Sequence, residues 1–354
     1  MDINLRSDKP VLVTGANGYV ASWLVKNLLD AGNTVHATVR NPDDKAKVGH
    51  LDKIADNSPG TLKFFKADLL DADAFDAPMQ GCEIVFHTAS PFMARNVTDP
   101  MAQLVTPAKQ GTAHVLEAVN RTESVKRVVL TSSVVGIYGD AVDLQKTGKA
   151  AFDESDWNTS STVDHQPYNF SKVEAEKLAW EIQKQQTRWD LLTINPGLVL
   201  GPALGATQSE SMSIMQDFGN GMLLMGAPKL EFGMVDVRDV AKAHILAGFK
   251  ADASGRHITS NLSINYMDIS RILRKNFNWK YPFPRMAAPN FVLWLLAPIF
   301  GLSRKFVSTN IGFPLKFDNS YIKKDLGIEF MPPEQTIVDH FQQLLDQGLI
   351  KKRG

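Results

Sequence analysis

The chain has 354 residues, 38 basic and 38 acidic side chains, no net formal charge and 44% hydrophobic residues. That composition excludes an extended disordered protein and supplies core for one large domain or two smaller ones. The charge balance excludes long-range attraction to nucleic acid or anionic lipid, and no basic patch is visible in the sequence, so a small molecule is the default partner. A single cysteine, Cys82, excludes an intrachain disulfide or a thiolate metal cluster and suits a reducing compartment. The first ten residues lack the apolar stretch of a secretory signal, so a cytoplasmic location is expected.

In chain order, short apolar runs predict strands at 11–14, 34–39, 62–66, 84–87, 127–131 and 191–195, and their continuous apolar character suits strands buried on both faces. Amphipathic stretches between them predict helices at 19–31, 45–55, 101–120 and 168–186. Strict alternation of the two implies right-handed crossovers and an α/β fold built on a doubly wound parallel sheet. Beyond Gly201 helices at 212–218, 237–249, 266–276 and 333–347 are mixed with loops, while 234–236 and 257–260 are expected to return as strands to the main sheet. The reading is therefore a nucleotide-binding domain over 1–200 and a smaller mixed, substrate-binding part over 201–354. The longest apolar stretch, 291–302, is broken by Pro298 and is shorter than the roughly 20 residues of a spanning helix. A substrate lid, a core helix and a membrane-contacting helix all remain open for it, and no membrane partner is expected.

The segment 11–21, VLVTGANGYVA, runs from a strand through a tight turn into a helix. A pyrophosphate needs backbone it can approach without Cβ atoms, and free N–H groups at a helix N-terminus. Gly15, Asn17, Gly18, Tyr19 and Val20 are the candidate contacts, with Ala21 where the motif's last glycine would stand. At the end of the second strand a carboxylate would select a free ribose 2′-hydroxyl, whereas a guanidinium selects a 2′-phosphate. Arg40 occupies that position and Lys47 follows, so NADP(H) is expected rather than NAD; the alternative for Arg40 is a surface pair with Asp43 or Asp44. Asp68 and Leu69 after the third strand, and Ala89 and Ser90 after the fourth, lie at strand carboxyl ends where open α/β sheets bind ligands.

The fifth strand ends in Thr131-Ser132-Ser133, and Tyr168 and Lys172 stand four residues apart further on, so on a helix they share a face. An ammonium beside a phenol favours the phenolate and is expected to bring its pKa down toward the working range. Ser133 would orient a substrate carbonyl, Tyr168 would supply the proton and Lys172 would hold the nicotinamide ribose. The histidines show no metal-ligand spacing, so no metal is expected.

Together VTGANGYVASWLVKNLLDAG, TVRNPDD, ADLLD, VFHTAS, VVLTSS, YNFSK and NPGLVLGP resemble the extended short-chain dehydrogenase/reductases, and within them the dihydroflavonol 4-reductase-like branch. The motifs cover about residues 9–205, with a looser likeness in VDVRDVAKAHILA. The resemblance implies a Rossmann fold, NADPH and a Ser-Tyr-Lys set falling on Ser133, Tyr168 and Lys172. It also places 2′-phosphate contacts on Arg40 and Lys47, and contacts near the nicotinamide on Pro196, Gly197 and Val199.

The expected activity is a carbonyl reductase, reversible as an alcohol dehydrogenase, on medium-sized hydrophobic or aromatic substrates, by a monomer or homodimer. Candidate pocket walls are Phe92, Met93, Tyr138, Leu198, the methionine-rich stretch 211–225 and the segment 291–300, although any one of them taken singly reads as core. Two alternatives use the same fold. One is a nucleotide-sugar or 3-hydroxysteroid-type epimerase or dehydrogenase with retained NAD, against which Arg40 argues. The other is a nonenzymatic NADP sensor, against which the Tyr168–Lys172 pair argues.

Overall fold

Val11, Leu12, Val13 and Thr14 have no exposed surface, as befits a strand covered by helices on both faces. The computed structural model describes residues 4–90, 97–206, 209–277 and 280–351. Its strands are β1 Val11–Thr14, β2 Thr34–Val39, β3 Thr61–Lys66, β4 Ile84–His87, β5 Arg127–Thr131, β6 Asp190–Pro196, β7 Leu198–Leu200, β8 Glu231–Asp236, β9 Gly255–Thr259 and β10 Leu262–Asn265. Seven of them form one parallel sheet in the order β3-β2-β1-β4-β5-β6-β9. Alternate side chains enter opposite layers. Val11 and Val13 join Leu24, Leu28 and Val240, while Leu12 joins Val85, Val115 and Leu116. Cys82 is wholly buried in the second of these layers, where desolvation pushes its thiol up to about 12.

The direction of winding reverses between β1 and β4, which opens a crevice at the strand carboxyl ends. Into that crevice run the turn after β1, the loops after β2 to β4, and the start of the helix Pro167–Gln183.

Two segments beyond Gly201 were expected in the main sheet, and only one joins it. β9 pairs with β6, whereas residues 234–236 lie in β8, the middle strand of a separate sheet ordered β10-β8-β7. The reason lies at Gly197. Its N–H donates to the Thr259 carbonyl at 3.1 Å, so β9 takes the edge of β6 while the chain turns away into β7. The small sheet carries its own core of Met215, Phe218, Met234, Ile269, Phe283 and Phe341. Among the described residues no helix is long and apolar enough to cross a membrane.

A methyl group on Gly197 would stand 2.2 Å from the Gly233 carbonyl oxygen, so substitution must push β8 away. Gly197→Ala should lower the unfolding free energy by about 2 kcal/mol or more, read as a lower urea midpoint at unchanged slope.

Candidate active site

The turn after β1 is built for close backbone approach. Gly15 has φ of 63°, and a Cβ there would meet Ala89 Cα and Cβ at 3.0 Å. Thr14 Oγ1 accepts from Ala89 N at 3.0 Å and pairs with His87 Nδ1 at 2.9 Å, while Ala16 N donates to the Thr38 carbonyl at 3.0 Å. These bonds lock the ends of β1, β2 and β4 together. The following helix, Tyr19–Asp30, begins at Gly18 with no side-chain cap and no acidic residue in its first turn. Its leading N–H groups are therefore free to serve an anion. Asn17 and Val20 are half-buried in this turn. Tyr19 commits its hydroxyl to the Gly201 carbonyl at 2.5 Å, which leaves its backbone N–H as the group able to face a ligand.

Arg40 is exposed just past β2 and makes no ion pair among the described residues, so the alternative pairing with Asp43 or Asp44 is not what the structure holds. Lys47 instead takes Asp44, at 3.1 Å. Asp68 is exposed, with Oδ1 accepting from Leu70 N at 3.0 Å, and the Leu69 carbonyl accepts from His114 Nδ1 at 2.8 Å. Val199, in β7, packs against the main core.

The helix Pro167–Gln183 follows Gln166, whose φ of 58° makes it the one left-handed non-glycine among the described residues. Its amide donates to the Asp140 carboxylate at 2.6 Å, and Asp140 also accepts from His165 at 2.9 Å and Asn310 at 2.6 Å. The start of the helix is thereby tied to the helix Arg304–Asn310.

One turn in, Lys172 Nζ lies 5.9 Å from the Tyr168 ring centre and donates to Ser90 Oγ at 3.1 Å. Ser133 caps a short 3₁₀ turn and its hydroxyl donates to the Pro196 carbonyl at 3.3 Å. The structure thus joins Ser90 to Lys172 and Tyr168, and Ser133 to Pro196. Beside Lys172, a recess of about 20 Å³ lined by His87, Ser90, Thr131, Ser132 and Glu176 has room for one water.

The electrostatics differ from expectation. Burial, with the Glu210 carboxylate adding to it, pushes the Tyr168 phenol up to about 12. Burial also brings Lys172 down to about 8, against the opposing pull of Glu176. Desolvation therefore outweighs the ammonium in the chain by itself, and Tyr168 holds its proton at neutral pH.

Several of the candidate pocket walls are packed into cores, as each of them taken singly is expected to be. Met212 and Met215 are core residues of the small sheet. Tyr138 is packed against Phe152 and Phe317 at 5.7 and 5.4 Å. Phe92 and Met93 fall outside the described residues.

The sequence reading missed Glu176. Its carboxylate is 1% exposed and accepts from Arg256 Nε at 2.7 Å, Asn195 Nδ2 at 3.0 Å, Thr193 Oγ1 at 3.3 Å and the Ser132 hydroxyl. Arg256 in turn donates to the carbonyls of Glu154 and Asp156, and its guanidinium lies 3.9 Å from the Trp157 ring centre. The available signal was spacing: Glu176 stands four residues after Lys172, among the buried positions Val173 and Ala179. Glu176→Ala would leave Arg256 as a buried unpaired charge and should cost about 3–5 kcal/mol, measured by urea denaturation.

Residues 11–261 match the model of the NAD dependent epimerase/dehydratase family. A cinnamoyl-CoA reductase of Medicago truncatula is 38% identical over 340 residues, which cover 95% of this chain and 96% of the relative. Among solved structures, Gre2 of Candida albicans in complex with NADPH superposes with a TM-score of 0.75 at 29% identity, over 95% of this chain and 98% of that one. The yeast methylglyoxal/isovaleraldehyde reductase Gre2 complexed with NADPH gives 0.74 at 28% identity, over 96% and 98%. With the glycine turn, the parallel sheet and these likenesses together, the chain belongs to the NAD dependent epimerase/dehydratase family of extended short-chain dehydrogenase/reductases, on its dihydroflavonol-reductase-like branch.

Proposed function

We propose that the chain is an NADPH-dependent carbonyl reductase, reversible as an alcohol dehydrogenase, that acts on hydrophobic or aromatic carbonyl compounds through Ser133, Tyr168 and Lys172. The observation that carries this reading is the line Tyr168–Lys172–Ser90 set beside the Gly15 turn. It supports a dinucleotide whose diphosphate meets the N-terminus of Tyr19–Asp30 and whose ribose meets Lys172. Arg40, exposed and without a carboxylate partner among the described residues, supports a 2′-phosphate over a bare hydroxyl. Of the two solved relatives bound to NADPH, the yeast one is named a reductase of methylglyoxal and isovaleraldehyde, and the Medicago relative is named a cinnamoyl-CoA reductase. A carbonyl carbon open to hydride attack is the chemistry these names share. The sole thiol, buried and inert, suits the reducing cytoplasm.

NADPH, when bound, supplies the hydride. Ser133, turning its hydroxyl from the Pro196 carbonyl, donates a hydrogen bond to the carbonyl oxygen and so stabilises the negative charge that develops there. Tyr168, protonated at neutral pH, then gives its proton to that oxygen. Lys172, held through Ser90 at the end of β4, orients the pair and supports the phenolate that remains. In the oxidative direction the same groups act in reverse.

The test is NADPH oxidation over a panel of aromatic and aliphatic aldehydes and ketones. Tyr168→Phe should lower kcat by about 10²–10⁴-fold while leaving NADPH affinity nearly unchanged, and Arg40→Asp should shift the kcat/KM ratio from NADPH toward NADH. Retained turnover in Tyr168→Phe would refute the role of Tyr168. Because Lys172 acts as a cation and its pKa is about 8, kcat/KM for NADPH should fall as pH rises through about 8. Lys172→Arg should remove that inflection.

A further inference from the structure

The helix Asn290–Leu296, sequence NFVLWLL, has no buried residue. Leu293 seats it on Ala297, Val307 and Ile311, and the rest turns outward: Phe291 is 73% exposed, Leu295 59% and Ile299 77%, with Trp294 and Leu302 beside them. A second segment joins this surface. Ala227 N donates to the Met286 carbonyl at 3.1 Å, Ala288 N to Ala227 at 2.8 Å, and Gly312 N to Lys229 at 2.9 Å, which brings up Met222 and Met225, the latter 90% exposed. Monomers seldom leave so many large apolar side chains contiguous and uncovered.

Charge identifies the occupant. Residues 219–230 and 280–317, the two segments joined here, contain the six cations Lys229, Lys280, Arg285, Arg304, Lys305 and Lys316 and no aspartate or glutamate; Asp217, Glu231 and Asp318 stand at their edges, and the Glu231 carboxylate is taken up by Leu315 N at 3.0 Å. Lys229, Arg304 and Lys305 have no carboxylate partner among the described residues, and the Arg304 guanidinium lies 4.6 Å from the Trp294 ring centre. Lys229 and the Arg304–Lys305 pair stand far apart in the sequence, and the bond from Gly312 N to the Lys229 carbonyl brings their segments together. A second copy of the chain would set like charges against like. An anionic bilayer answers both features, taking the apolar side chains at its acyl boundary and the cations at its headgroups.

We propose that this face docks the protein on the surface of an anionic membrane, lying on the bilayer without crossing it. The test is sedimentation of the full-length chain with vesicles of phosphatidylcholine alone or mixed with phosphatidylserine. The chain should sediment with the mixed vesicles only, and less as salt is raised. Arg304→Glu with Lys305→Glu should abolish sedimentation at unchanged melting temperature and NADPH affinity, and Phe291→Ser with Ile299→Ser should weaken it strongly. Absence of sedimentation, or sedimentation that both double variants retain, would overturn the proposal. So would a chain that is dimeric by sedimentation velocity and becomes monomeric in Phe291→Ser with Ile299→Ser, which would make a second copy the occupant. None of these readouts depends on the chain proving to be a reductase.

Discussion

The Glu176 carboxylate is the constraint around which the reactive side of the fold is arranged. It sits on the same helix as Tyr168 and Lys172 and draws donors from the end of β5, from β6 and from β9. A buried anion is tolerated only when its acceptor sites are filled and a cation stands against it. Here Arg256 supplies the cation, from a strand 80 residues further along the chain. The network therefore fixes how the helix lies over the sheet, and with it the position of Lys172 one turn earlier. It also explains why β9 belongs to the main sheet although it follows the first strands of the smaller one.

Desolvation governs the acid–base character of the site. It holds the proton on Tyr168 and loosens the one on Lys172, so at neutral pH the phenol is protonated and the amine still carries most of its charge. His87 beside the recess is held neutral, its pKa brought down to about 3 by burial and then by Lys172, so it adds no competing positive charge there. The second anchor is the tie from Asp140 to Gln166 and Asn310. It links the residue before the helix Pro167–Gln183 to a helix of the C-terminal part, so the geometry of Tyr168 depends on chain segments from both halves of the sequence.

Much of this was legible beforehand, and what was not has physical reasons. β1, β2, β4 and β5 announce themselves because strands buried on both faces are rich in apolar and β-branched residues on both, and Gly15 because only glycine admits the approach of Ala89. The residues around Met234 have the same apolar character, but apolarity does not say which of two sheets buries them. Met212 and Met215 belong to a stretch left open between core and pocket wall, since a methionine that fills a core and one that lines a cavity look alike in one dimension, and both prove to be core. Glu176 and Arg256 form a pair across 80 residues, a contact that no local periodicity can reveal. The cations of the C-terminal part are likewise spread along the chain, and backbone bonds between residues 227–229 and residues 286–312 bring their segments together.

The burial of Cys82 bears on the chemical hazard of the proposed work. A protein that handles reactive carbonyls, conjugated enals among them, is exposed to electrophiles that alkylate accessible thiolates. This chain keeps its one sulfhydryl wholly covered beneath the sheet and protonated far above neutral pH, so the soft nucleophile such compounds attack first is withheld from them, and self-inactivation by that route is closed.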